Sequence, residues 1–549
     1  MAASMSLGKF YLGASLFTVS INWALEYSAI PTWYKLKFPG PAFRQFGKEI
    51  LEGNILPKWR LLRARPSITV LLSIFIIHLI GISWSPDSQE AWKDLKIKIG
   101  IFLIPLCIGT SRPLEKKTFE TLLLFFVTAV FISCVSTLLV AKGIVIPKKP
   151  ITDLREASIF VPLIRLSLMV VLSIFFLGRW MIRIKNILLK FSALALMCGY
   201  MWFLTYMQSL TGLVILFTGG FFLLVIMAFV HKKRKLILAL LTCFIVFSLG
   251  AGFVIKKAYD DFYTMQPTDM GHLDHFTSRG NSYFSEFNYP MLENGNQVMT
   301  YVCWHELDSC WTKRSKIKLD SGLDVNGNPV AITLLRYLAS KGWRKDADAM
   351  AKLTDAEIHA IENGATNAKD PERSSIERRI YQVFWEIYHY QHGSNPSGNS
   401  VTMRLELLQT AMTSIRHHPL IGVGTGGQQK AFAEIYEKQG TVLDENFQWL
   451  HSHNQLLSIG VTLGIPVLLY FLFSLWYAPH SMKRWRSYLY LAFFMVFFLS
   501  FFDDDTLETS QGVFFYAFFN SLFLYAMPRG SAVEKGMESE GQAISETKP

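Results

Sequence analysis

The sequence predicts an all-α integral membrane protein, a bundle of helical spans with one large insert. Two observations predict it. Of 549 residues, 51% are hydrophobic and 17% charged. The mean hydropathy is +0.27 despite a long polar stretch, so the apolar residues are concentrated in blocks. These blocks are long enough to cross a bilayer and lack the alternation of barrel strands. Backbone in lipid must satisfy its own hydrogen bonds, which leaves helices.

The blocks fall at about 9–30, 68–85, 119–141, 158–178, 187–206, 210–230, 235–256, 452–476, 488–503 and 511–527, with a shorter one near 97–110. They give about eleven or twelve spans. The first, from Phe10 to Ile30, lacks a convincing cleavage site and reads as a retained span. Four regions follow: an N-terminal bundle at 1–256, a polar insert at 257–451, C-terminal spans at 452–528 and a polar, disordered tail at 529–549.

Basic loops set the orientation. Arg179, Arg183 and Lys185, then His231 to Lys235, then Lys483, Arg484 and Arg486 all fall on one side under a single threading. The positive-inside rule makes that side cytoplasmic. The insert and the acidic link Asp503-Asp504-Asp505 then face outward. The formal charge of +12 is explained by these loops and argues against nucleic acid as a partner.

The insert is too long for a linker and reads as an ordered, mainly helical domain. Asn326-Gly327 marks a turn. Thr333 to Lys341 reads as a helix stopped by Gly342, and Thr354 with Glu357 forms a capping box for a helix ending at Gly364. Trp304, Trp311, Trp343 and Trp385 are candidates for a small core or for membrane-surface anchors. Cys303 and Cys310, seven apart in an oxidising compartment, are expected to form a disulfide, with two free thiols as the alternative. No Cys or His spacing suggests a zinc site.

The residues with chemical potential cluster late in the chain. Ser452-x-x-Gln455 fits a capping box, with Ser452 as N-cap and His453 as the first residue of a transmembrane helix. Positions 453, 460 and 464 then lie within about twenty degrees of one stripe. Above sits an imidazole, and below it a Gly460/Gly464 notch for a neighbouring helix. The helix dipole disfavours a protonated His453, as suits a general base; an interfacial histidine is the alternative. Upstream, an amphipathic helix over Val401 to Ile415, opened by Ser400 or Thr402, carries Arg404 in its first turn. Gly422, Gly424, Gly426 and Gly427 follow. Glycine amides and an arginine fork suit a phosphate anion, while a flexible loop is the alternative. Arg165 lies about two turns inside a span, a costly position that marks a functional candidate, unless it snorkels. Asp503 to Asp505 is expected to be a solvated acidic turn, not a metal-binding motif.

The stretches Ser400 to Leu408, His418 to Gly426 and His453 through Leu463-Gly464-Ile465 resemble the O-antigen ligase and polymerase superfamily. Arg404 with Leu408 matches that family's R-x3-L motif, and His453 with Gly464 its H-x10-G motif. Tyr301 to Cys303 and Thr333 to Gly342 resemble a ligase branch with an enlarged periplasmic loop. The resemblance implies a bundle of the C-type glycosyltransferase kind in the bacterial inner membrane, with its active site facing the periplasm. It also implies no cofactor or metal. The implied donor is a glycan on undecaprenyl pyrophosphate and the implied acceptor a lipid A–core sugar, both held among membrane lipids. Arg404 and His453 would be catalytic, and Asn454, Gly424 and Gly426 would bind substrate. A second family arginine is replaced here by Leu210, within Ser209-Leu210-Thr211-Gly212, and Arg165 is the candidate to fill that role. An O-antigen polymerase, a protein O-oligosaccharyltransferase and a flippase of the lipid-linked glycan are the alternatives. A flippase would require internal repeats with broken helices in both halves, and none is evident.

The threading makes one direct prediction. A cysteine introduced at Asn326 reacts with a membrane-impermeant thiol reagent in intact spheroplasts. Labelling only after the membrane is broken would reverse the assigned sidedness.

Overall fold

The computed structural model describes residues 1–25, 55–147, 154–230, 232–264, 274–287, 291–399 and 401–528. Ser400, His231 and the tail 529–549 lie outside the described residues. Of the described residues, 69% are helical. Its named strands among the described residues are the two-residue pair Leu292–Glu293 and Asn296–Gln297. It is an all-α, multi-span membrane protein.

Among the described residues, seven helices are long and apolar enough to cross a membrane: Pro66–Trp84, Lys116–Ala141, Leu163–Arg183, Ile187–Tyr206, Leu210–Val230, Ile237–Tyr263 and Gln455–Ser481. The other four expected spans are also helical but shorter or more polar. They are Lys9–Leu25, Ser88–Gly109, Tyr488–Ser500 and Ser510–Ser521, the last running on through a π-turn at Leu522–Ala526. Ser88–Gly109 is the more polar one because its first half carries Lys93, Asp94, Lys96 and Lys98. All four still contribute to the bundle core through Leu12, Ile101, Phe493 and Phe515.

Ring packing makes that core specific. Phe126 meets Phe519 edge-on with centroids 4.7 Å apart, and Phe176 and Phe493 each pack against Phe523 at 5.8 and 6.0 Å. Such offset and edge-on pairs add to simple burial. Glycine lets two helices approach: a Cβ at Gly100 would lie 3.0 Å from Val513. The start of Ser88–Gly109 is fixed by Asp87, whose carboxylate accepts from the amides of Gln89 and Glu90 at 2.9 and 3.0 Å, satisfying donors that a helix start leaves open.

The last N-terminal span runs as Arg234–Tyr263, about two turns past the expected boundary. Phe262 there packs edge-on against Tyr381 and Tyr388 of the insert. The insert has its own apolar cluster around Trp311, Leu334, Leu338 and Ile361. Thr354 forms the expected capping box for Asp355–Glu362, and Ser374 forms another for Ser375–Gln391. The helix expected from Thr333 starts earlier, as Val330–Ser340, because Pro329 can open it without losing a hydrogen bond. Gly327 takes φ +82 in the expected turn and Gly342 takes +69 after its helix. Of the four tryptophans, Trp311 is fully buried while Trp304 is 39% exposed. Trp385 stacks on His389 beneath the Arg336 guanidinium.

The disulfide expectation is corrected. Cys303 and Cys310 are both free. Cys303 is the N-cap of helix Trp304–Trp311 and Cys310 lies near its end. Seven residues at helical rise separate them by about 10 Å along the axis, whereas a disulfide needs Cα atoms within about 7 Å. Denatured without reductant, the protein should therefore alkylate at both positions. A peptide containing both cysteines and lighter by two hydrogens would overturn this.

Candidate active site

The site gathers where the insert returns to the bundle. Helix Gln455–Ser481 begins two residues later than a Ser452 cap would place it. Asn454 is the N-cap, its side-chain oxygen accepting from the amides of Leu456 and Leu457, each at 3.1 Å. That oxygen is thus committed to the cap. Ser452 instead donates to the Asn454 carbonyl at 3.0 Å and sits 2.9 Å from the Ser458 hydroxyl. The expected capping box is absent, and His453 stands outside the helix in the left-handed region, φ +49. A non-glycine residue there is uncommon. The stripe through positions 453, 460 and 464 therefore does not form, and Gly464 is itself non-helical.

Beside His453 lies the turn after Tyr488–Ser500, and here the sequence expectation fails most informatively. Asp503 to Asp505 is no solvated link: Asp504 and Asp505 are buried. Asp503 accepts hydrogen bonds from the Arg404 guanidinium and from the Thr211 hydroxyl. Asp504 faces Arg165 at 3.2 Å. Arg165 is thereby drawn inward and does not snorkel. Its helix also carries Ser167, whose hydroxyl is 2.7 Å from that of Ser209, so the helix of Arg165 packs beside the Ser209-Leu210 segment.

The turn is fixed from below by Gln455. Its backbone amide donates to the Phe501 carbonyl at 3.0 Å, and its side chain accepts from the Leu507 amide at 2.6 Å while donating to Glu508 at 3.1 Å. Glu508 in turn pairs with Lys98 at 2.5 Å, and Lys98 also reaches Asp94. Sequence reasoning missed this network. Its one sequence signal is Lys98 inside an otherwise apolar run, with Asp94 one helical turn before it.

Charge and burial set the protonation states. Burial above all, then the nearby Arg404 charge, lowers the His453 imidazole to about 4, so it is neutral at neutral pH. Burial raises Asp504 above the usual carboxylate range against the opposing pull of Arg165. Two buried polar atoms here have no partner, His453 Nδ1 and Arg165 Nε, while Asp504 Oδ2 meets Arg165 as an ion pair. Buried polar atoms are normally satisfied, so this concentration marks a place for ligand. His453, Asp504 and Asp505 also offer ligand atoms all within 4.8 Å of one another, a spacing that suits a divalent cation.

Gly424 and Gly426 serve a different purpose from the expected anion cradle. The Val423 and Gly424 amides donate to the carbonyls of Val461 and Thr462, each at 2.9 Å. A Cβ at Gly424 would lie 2.7 Å from Ser85 Cα, and one at Gly426 would lie 2.4 Å from the Ala91 amide nitrogen. The loop is spliced onto backbone on both sides and leaves no approach for a phosphate at these α-carbons. The other half of the splice is the break at Gly464, φ +82 and ψ +171. There the Ile465 amide donates to the Pro419 carbonyl at 2.8 Å. Broken backbone inside a membrane helix is tolerated where protein satisfies it.

Residues 373–472 match the family model described as O-antigen ligase. That segment contains Arg404, His453 and Gly464. No curated protein matches the chain.

The splice yields a stability prediction. A Cβ at Gly464 would sit 2.4 Å from the Leu420 carbonyl oxygen, in a backbone region that is essentially glycine-only and costs other residues of order 1–3 kcal/mol. Gly464→Ala should lower the thermal midpoint in detergent and abolish activity. Gly250→Ala, where nothing lies within 4 Å, should leave both unchanged. An unchanged midpoint for Gly464→Ala would remove the splice from the account.

Proposed function

We propose, from the match of residues 373–472 to the O-antigen ligase family model, that this chain is a member of the O-antigen ligase superfamily and an inner-membrane O-antigen ligase. It transfers glycan from undecaprenyl pyrophosphate to a hydroxyl of a lipid A–core sugar at the periplasmic face. The observation that carries the proposal is the convergence of Arg165, Arg404 and neutral His453 on one acidic turn, with His453 Nδ1 and Arg165 Nε left for a ligand.

The chemistry asks little beyond placement and charge. The acceptor oxygen attacks the anomeric carbon, the bond from that carbon to the pyrophosphate oxygen breaks, and the configuration inverts. The acceptor proton passes to His453, whose Nδ1 is unpartnered, and then to solvent. The departing pyrophosphate carries the charge that Arg404 and Arg165 stabilise, as fixed cations in a dry site do well. Asp503 and Asp504 neutralise those arginines when the phosphates are elsewhere, so donor entry is an exchange of one anion for another. The pairing of Asp504 with Arg165 favours a metal-independent reaction over a cation held by His453, Asp504 and Asp505.

The test is transfer and donor binding by purified variants in one detergent, with lipid A–core, O-antigen repeats and protein offered as separate acceptors. Arg404→Lys keeps a charge but loses the bidentate fork, so both donor binding and turnover should fall. His453→Ala should bind donor nearly as the parent does, with turnover down about a hundredfold or more. A chelator should leave the parent rate unchanged. Parent-rate transfer by folded His453→Ala would end its assignment as base, loss of activity with chelator would install a metal, and modification of O-antigen repeats alone would make the protein a polymerase.

A further inference from the structure

A cavity of about 670 Å³ lies at the opposite end of the bundle from the acidic turn, between helices Lys116–Ala141, Leu163–Arg183 and Tyr488–Ser500. Its walls are apolar, with Phe119, Leu123, Val127 and Phe176 among them, yet Lys116, Arg179 and Arg183 also line it. One carboxylate, Glu120, is present, and it stands 3.9 Å from Arg183. Among the described residues Arg179 has no carboxylate partner; its guanidinium lies 5.8 Å from the Tyr488 ring centre. The cavity reaches the outer surface of the bundle: Leu124 lines it and is 38% exposed, and the adjacent Phe125 is 63% exposed.

We propose that this cavity binds an anionic phospholipid of the cytoplasmic leaflet, its phosphate among Arg179, Arg183 and Lys116 and an acyl chain along Leu123 and Val127. Charge complementarity selects the occupant. Arg179 is half-buried beside the apolar wall, and Lys116 and Arg183 stand exposed at the rim, so the recess offers a cationic mouth over an apolar wall, the arrangement an anionic headgroup with its acyl chain matches. A soluble phosphate would leave the apolar walls wet, and a purely apolar chain would leave the arginines unmatched. A phospholipid satisfies both, and the leaflet carrying the basic loops is the one rich in anionic headgroups. The volume lies within the range of lipid- and drug-sized sites. Nothing in this inference depends on the transfer reaction.

The experiment is native mass spectrometry of the delipidated full-length protein offered phosphatidylglycerol, phosphatidylcholine of the same chains, or undecaprenyl phosphate. The parent should retain phosphatidylglycerol with a preference over phosphatidylcholine of about tenfold or more. The double variant Arg179→Gln, Arg183→Gln should lose that preference, and Arg179→Lys, Arg183→Lys should keep most of it. Val127→Trp, which fills the apolar wall and leaves the charges alone, should reduce retention of phosphatidylglycerol. The loop variant Lys232→Gln, Lys233→Gln should behave as the parent. The proposal is overturned if the glutamine pair keeps the preference, or if undecaprenyl phosphate is retained over phosphatidylglycerol. It is equally overturned if lipid binds only once residues 529–549 are deleted, which would make the tail the occupant.

Discussion

An ionised carboxylate can be buried only where cations or hydrogen-bond donors meet it, and this chain concentrates that demand between Asp503 and Glu508. Arg404 and Thr211 meet Asp503, Arg165 meets Asp504, and Lys98 with Gln455 meets Glu508. Those partners come from five separate segments of the chain. Satisfying one short turn therefore fixes where five helices end relative to one another. Removing one member of such a buried pair typically costs about 3–5 kcal/mol, because the other is left uncompensated. The same pairings bring two arginines and a histidine together, so the constraint that holds this end of the bundle also builds the candidate site.

The backbone splice makes that arrangement possible. A continuous helix through Gly464 would carry its carbonyls past Leu420 and leave no partner for the Val423 and Gly424 amides. The break turns the Ile465 amide toward Pro419 and lets the glycine loop lie against Val461 and Thr462. Thr425 then reaches the carbonyl of His78 at 2.6 Å, which ties the loop to helix Pro66–Ile80. Glycine is needed at these crossings for contact between backbones.

Much of the fold is legible in the sequence because its causes are local. Blocks of apolar residues at bilayer length mark the helices whatever their neighbours are. The capping box at Thr354 and the stop at Gly342 depend on residues three or four apart, and the structure contains both. The cap at Ser452 is the instructive exception. Asn454 offers the same short polar oxygen two positions later, and the choice between them falls to Gln455, whose side chain is held by Leu507 and Glu508 some fifty residues on.

The sequence by itself determined the class of fold and the limits of most helical spans, and it singled out Arg404, His453 and Arg165 as candidates. Only the tertiary structure decided that these three converge on Asp503 and Asp504, that Lys98 answers Glu508, that Gly424 and Gly426 serve packing, and that Cys303 and Cys310 stand too far apart to bond. The physical reason is range. Hydrophobic period and capping act over a few residues, whereas a buried charge is satisfied by whichever partner the packed helices bring within about 4 Å, however distant in the chain.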